Sequence, residues 1–186
     1  MNTYPQFLRI HPYQQMLIGK QLMLHCWDTA GQEDYDLLRP LSYPMTDVFL
    51  LCFSIVNETS RLNVSRKWVP ELQHYSPNSK IILVGTKSDL RNDEKFIEKL
   101  TQDGLTITDM SLGEVTAKEI NAVKYVECSA KDKESVNAVF TEGLRSALIH
   151  AESRDPNVLA EGDEDGTDQK GSGVKEKKKK KSCTIL

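Results

Sequence analysis

A chain of 186 residues with 39% hydrophobic and 27% charged side chains has the size and composition of one globular domain with room for a tail. The longest apolar run, 48–53, is far short of the roughly 18 residues a spanning helix needs, and the first fifteen residues hold no continuous apolar stretch of the signal-peptide kind. Four cysteines are too few for a disulfide framework, so a reducing, intracellular setting is the expectation.

The net charge of −3 divides unevenly: from Lys170 to Ser182 seven lysines face a single acid, Glu176, while the rest of the chain is acidic. A basic tail on an acidic body points to an anionic lipid surface or to nucleic acid as its partner.

In chain order, 16–18 and 21–27 read as a hairpin turning at Gly19-Lys20, and 48–56 as a strand buried on both faces. Residues 61–74 are amphipathic and helical, bent at Pro70. A second buried strand at 80–85 precedes a loop at 90–92 and a charged helix at 93–100. The spacing Ser111-x-x-Glu114 predicts a capped helix over 111–121, followed by a strand at 123–128 and a closing helix at 134–150. Such alternation predicts an open α/β sheet, mostly parallel, with helices on both faces. From about Glu152 the pattern gives way to Gly, Asp, Glu and Lys, read as a disordered linker over 152–182.

Ligands of open α/β sheets bind beyond the carboxyl ends of the strands. Trp27-Asp28-Thr29-Ala30-Gly31-Gln32 follows one strand, Thr86-Lys87-Ser88-Asp89 a second, and Ser129-Ala130-Lys131 a third. Each motif alone is weak, since a Thr-Lys-x-Asp after a strand is most often a polar turn. All three in this order are hard to obtain by chance. With them the chain resembles the small GTPases, and in particular the Rho/Rac branch, from about Met16 to His150. Residues 27–44 resemble that branch's switch II, and 93–108 stand where it carries an insert helix.

That resemblance implies a P-loop NTPase-like fold, GTP/GDP and Mg²⁺ as cofactors, and site roles residue by residue. Asp28 would hold the metal through a water. Gly31 would offer its N–H to the γ-phosphate, and Gln32 would orient the attacking water as the catalytic residue. Thr29 and Ala30 complete that segment. Lys87 would lie against the guanine ring between Thr86 and Ser88. The Asp89 carboxylate would accept two N–H groups of the guanine edge, an arrangement adenine cannot satisfy. Ala130 would donate its N–H to the guanine oxygen, with Ser129 and Lys131 shaping the loop. Exchange factors, GTPase-activating proteins, effectors and dissociation inhibitors are the implied partners. Cys26, Cys52 and Cys128 fall in strands and are expected in the core, Trp27 and Trp68 are expected to pack, and no histidine is given a catalytic role.

The resemblance breaks at the phosphates. No Gly-x-x-x-x-Gly-Lys-Ser/Thr occurs in the 186 residues: Gly19-Lys20 is followed by Gln21, and the required earlier glycine falls on Gln14. Gln6 stands where the branch has its metal-binding threonine, and Leu37 where close relatives have arginine. The expectation is a sheet lacking its first strand and first helix, with a gap between 21–27 and 48–56 and too little stability to fold well. Nucleotide binding and hydrolysis are then doubtful. A non-catalytic module that titrates regulators, or an incomplete gene model, stands as the alternative.

The chain ends Cys183-Thr184-Ile185-Leu186, a C-a-a-X box whose terminal leucine favours geranylgeranylation of Cys183. Lys175 and Lys177, Lys178, Lys179, Lys180 and Lys181 supply the polybasic second signal that one lipid chain needs. This favours a lipid-anchored protein on the cytoplasmic face of a membrane over a nucleic-acid binder.

Overall fold

The computed structural model describes residues 8–17, 20–154 and 182–185, with side chains from 24 to 150. Six strands form one sheet in the order β1-β2-β6-β3-β4-β5. Strand β1 (Leu8–Leu17) is the antiparallel edge, paired along its length with β2 (Lys20–Thr29). Pro12 stands opposite His25 on that outermost strand, where its missing N–H costs no central ladder bond. Strands β3 (Val48–Ser54), β4 (Lys80–Thr86) and β5 (Lys124–Cys128) run parallel, Leu51 opposite Leu83 and Val84 opposite Val126. The mostly parallel open sheet expected from the alternation is therefore the observed one.

Successive side chains of β3 and β4 go to opposite faces and so to two cores. On one face Val48, Ile82 and Val84 pack with Leu24 and with Val139, Leu144 and Ala147 of α5 (Lys133–Arg154). On the other, Phe53, Leu83 and Tyr125 meet Val64 and Val69, together with Ala117 and Ile120 at the end of α4 (Met110–Glu119). Each face thus has its own helices.

The predicted helix at 61–74 starts earlier, at α1 (Glu58–Asn63), because Asn57 caps it by accepting from the Ser60 N–H. It then widens into a π-turn over Val64–Trp68 before α2 (Val69–Tyr75). The wide turn falls immediately before Pro70, whose ring leaves no room for the ordinary i→i−4 bond. Helix α3 (Glu94–Gln102) is capped by Asp93, which accepts from the Phe96 N–H. The cap of α4 is Asp109, not Ser111: Asp109 accepts from the Leu112 N–H, and Ser111 spends its hydroxyl on Asp109. An aspartate two residues upstream outcompeted the capping box.

Two further expectations are corrected. The gap between β2 and β3 is not empty: β6 (Ser182–Ile185) enters it, parallel to both neighbours, so Ser182, read as the end of the linker, is strand, and α5 carries the helix on to Arg154, past the expected linker start at Glu152. Residues 155–181, including Lys175 and Lys177 to Lys181, lie outside the described residues. Cys52 is exposed, while Cys26 is half-buried and Cys128 buried. Its position has a plain cause. Strand β6 meets β3 only at Val48, four residues earlier, so beyond that point β3 opens onto a cleft.

Candidate functional site

The carboxyl ends of β4 and β5 bring two of the predicted segments together. Thr86 closes β4 by donating its hydroxyl to the Phe53 carbonyl at 2.9 Å, tying the loop to β3. Lys87 then turns the chain with φ of 64°, a left-handed conformation uncommon for a residue with a Cβ. That turn starts the 3₁₀ segment Ser88–Asn92 and places Asp89 opposite the loop after β5. Arg91 fixes the segment from below: its Nε donates to Glu127 at 3.1 Å, and Nη2 donates to Glu127 and to the Thr108 carbonyl.

Across the gap, Ser129 is 3% exposed and its hydroxyl donates to the Asp89 carboxylate at 2.7 Å while accepting the Lys131 N–H at 3.1 Å. Ser135 receives the Ser129 N–H, so the start of α5 holds the loop. The Lys131 ammonium lies 2.7 Å from the second Asp89 oxygen. Hydrogen bonds from Lys131 and Ser129 hold the Asp89 carboxyl below the usual carboxylate range. Asp89 is thus an ionised, oriented acceptor. A carboxylate offers about four lone-pair sites, of which these two contacts use two, leaving room for a further pair of donors. Lys131 is largely exposed and free to swing aside, and Ala130 stands exposed at the loop's tip.

The third segment sits apart, along a cleft of about 900 Å³ flanked by β2, β3 and the first turns of α5. Asp28, Thr29 and Gly31 line it on one side, Lys133 and Asn137 on the other. A Cβ on Gly31 would meet only Trp68 at 3.8 Å, so no protein packing demands glycine there; only a close-approaching ligand would. The Gln32 side chain is exposed.

What holds Ala30 to Gln32 is Arg39, which the sequence reading overlooked. It is 3% exposed, its Nε donates to the Ala30 carbonyl at 2.9 Å and its Nη2 to the Gln32 carbonyl at 2.8 Å. The same guanidinium pairs with Glu71 at 3.2 Å and Asp36 at 2.8 Å, and lies 4.9 Å over the Trp68 ring. Tyr43 donates to Glu71 from below, completing a buried network. The available signal was a lone arginine beside Pro40 with acids at Asp36 and Glu71, which many exposed helices also show. Beyond it, Leu37, Leu41 and Met45 are exposed apolar side chains on the same segment.

The corner beyond β4 and β5 presents one oriented carboxylate acceptor, Asp89. The cleft side does not fit a metal by itself: Asp28 offers one exposed carboxylate, and among the described residues no three His, Cys, Asp or Glu side chains group to hold an ion.

These features define a class, a doubly covered α/β sheet with a carboxylate corner beyond β4 and β5. The Ras family model matches residues 8–149, and the chain belongs to that family. Within it the chain is Rho/Rac-like: it is 48% identical over 131 residues to the Rho-related protein racC of Entamoeba histolytica, an overlap covering 70% of this chain and 68% of that protein.

Proposed function

We propose that this protein is a Rho/Rac-type signalling component that recognises guanine through Asp89 and works at a membrane surface. The observation that carries the reading is the Asp89 carboxylate, ionised and aimed by Ser129 and Lys131. Two N–H donors side by side on the guanine edge complete it, whereas an adenine edge would leave a partly buried charge unmet. Lys87 and Ala130 take the ring face and the guanine oxygen. GTP, GDP and magnesium are the family's ligands. The 186 residues supply no phosphate loop, so binding by this chain rests on the base, and Gln32 has no fixed phosphate against which to aim water.

Cys183 as lipid acceptor and Lys175 with Lys177 to Lys181 as basic patch give the membrane address. Regulators and effectors of the Rho family are the partners, meeting the exposed Leu37, Leu41 and Met45.

The test of base recognition is Asp89→Asn. Guanine binding weakens by about 1.5–3 kcal/mol as the charge-assisted acceptor is lost. Xanthine, with an oxygen where guanine has its amino group, then competes better than guanine. Unchanged preference for guanine in a competition assay removes Asp89 from the base site.

A further inference from the structure

Strands β2 and β3 pair outward, β2 with β1 and β3 with β4. Their inward edges face each other across the middle of the sheet. Left open, they would bury unpaired N–H and C=O groups. The floor of that slot is core: Leu24 and Val48 are 1% and 0% exposed and share one cluster. The four residues of β6 occupy one end of it, along β2 and against the start of β3. Ser182 stands opposite Met23, Cys183 opposite Leu24, Thr184 opposite His25 and Ile185 opposite Cys26, with Ile185 also bridging Val48. Helix α5 lies against β6 as well as β3 and β4, so the inserted strand is covered on that face.

The end of the chain suits this place. Ser182 to Leu186 carries no charged side chain and contains β-branched Thr184 and Ile185, whereas 155–181 is dominated by Gly, Asp, Glu and Lys. At up to about 3.3–3.6 Å per residue, that intervening stretch is ample to return from the end of α5 to the sheet.

We infer that Ser182–Ile185 is a built-in strand that completes the sheet, and that its insertion and lipid attachment at Cys183 exclude each other. The second half rests on the lipid-acceptor reading above. A segment whose backbone is laddered to β2 beside a helix cannot at the same time enter a transferase or carry a prenyl chain into a bilayer. An inserted tail withholds that segment from a prenyl donor and occupies one end of the slot. A withdrawn tail frees Cys183 for a prenyl donor and reopens the slot. Membrane anchoring and sheet integrity are thereby coupled.

Hydrogen exchange on the full chain tests the strand. The amides of Cys183 to Ile185 should exchange at least about a hundredfold more slowly than in a free peptide of residues 177–186, with the same protection in dilute monomer. Exchange at free-peptide rates while β4 stays protected overturns the insertion. Protection seen only in a dimer overturns the intramolecular form in favour of tail swapping. Ile185→Pro should lower the melting temperature; if it does not fold, exchange in the unaltered chain still decides. For the exclusion, a geranylgeranyl transferase with geranylgeranyl diphosphate should modify the free peptide at least about tenfold faster than the full chain. Equal rates overturn the exclusion. A peptide that is not modified at all overturns the lipid-acceptor reading and the exclusion with it, while the exchange result stands on its own.

Discussion

The two halves of the sheet are built differently. On the β3-β4-β5 side the central β4 is paired along its length on both edges, helices cover both faces, and Leu83, Ile82 and Leu144 are wholly buried. On the β1-β2-β6 side a hairpin hangs on a four-residue strand, and a cleft of about 900 Å³ opens against Cys52. The Asp89 corner belongs to the first half and the Asp28 to Gln32 segment to the second. The residues proposed for base recognition thus sit on doubly covered scaffold, while those proposed for phosphate chemistry border an open space held by one buried arginine.

The largest expected effect tests that arginine. Arg39→Ala leaves the half-buried Glu71 without its counter-charge, with only the Tyr43 hydroxyl, and releases the Ala30 and Gln32 carbonyls, and should cost about 3–5 kcal/mol in a denaturant melt. A loss below about 1 kcal/mol, the worth of an ordinary surface pair, would mean that the cleft side is not braced by this network.

The second contrast uses one substitution in both halves. Leu83→Ala, at a wholly buried site between β3 and β5, should cost about 2–5 kcal/mol. Leu50→Ala, on the same sheet but lining the cleft, opens no sealed cavity and should cost clearly less. Equal losses would show that the cleft is closed in solution.

Gly113→Ala sharpens the packing of the first half, because two effects oppose. Alanine is better than glycine inside a helix by about 0.8–1.0 kcal/mol. Here the added Cβ would fall on the Tyr125 ring. That ring cannot easily yield: it is 8% exposed, stacked on Phe53 at 6.0 Å and tied through its hydroxyl to Glu127 at 2.7 Å. Overpacking costs about 1–3 kcal/mol, so net destabilisation is expected. A rise in melting temperature would refute the clash.

The smallest effect is acid-dependent. Asp36, Asp89 and Asp109 all have carboxyls held below their ordinary value of 3.8: Asp36 chiefly by Arg39, Asp89 by Lys131, Asp109 by the Leu112 N–H. A carboxyl depressed on folding contributes stability that is present above its unfolded value of 3.8 and lost as pH falls through its folded value. Asp109→Asn keeps a good helix cap and removes that site's titration. Its melting temperature should therefore fall less steeply below pH 3.8 than that of the unaltered chain. An identical slope would exclude Asp109 from the acid limb.

Much of the first half was legible in the sequence, because continuous apolar runs such as 80–85 and a long one-faced helix announce themselves. That the two loops meet was legible too, since Thr86-Lys87-Ser88-Asp89 and Ser129-Ala130-Lys131 each directly follow one of two strands that lie side by side. Strand β6 was not. Four residues after a charged stretch carry no periodicity, and their partners at Met23 to Cys26 lie far back in the chain. Arg39 and Cys52 were missed for a related reason: one is buried and the other exposed by contacts that no local pattern encodes. The Asp109 cap lay two residues outside the motif that drew attention.

If Asp89 recognises guanine as proposed, and the 186 residues hold no phosphate loop, the base alone sets the affinity. Titrating the full chain with guanosine, GDP and GTP in magnesium buffer tests it directly. With no cradle to add phosphate contacts, the account predicts affinities within about threefold of one another, less than 1.4 kcal/mol or one factor of ten apart. All three should weaken, and xanthosine should compete better than guanosine, in Asp89→Asn. GTP binding orders of magnitude tighter than guanosine would contradict it.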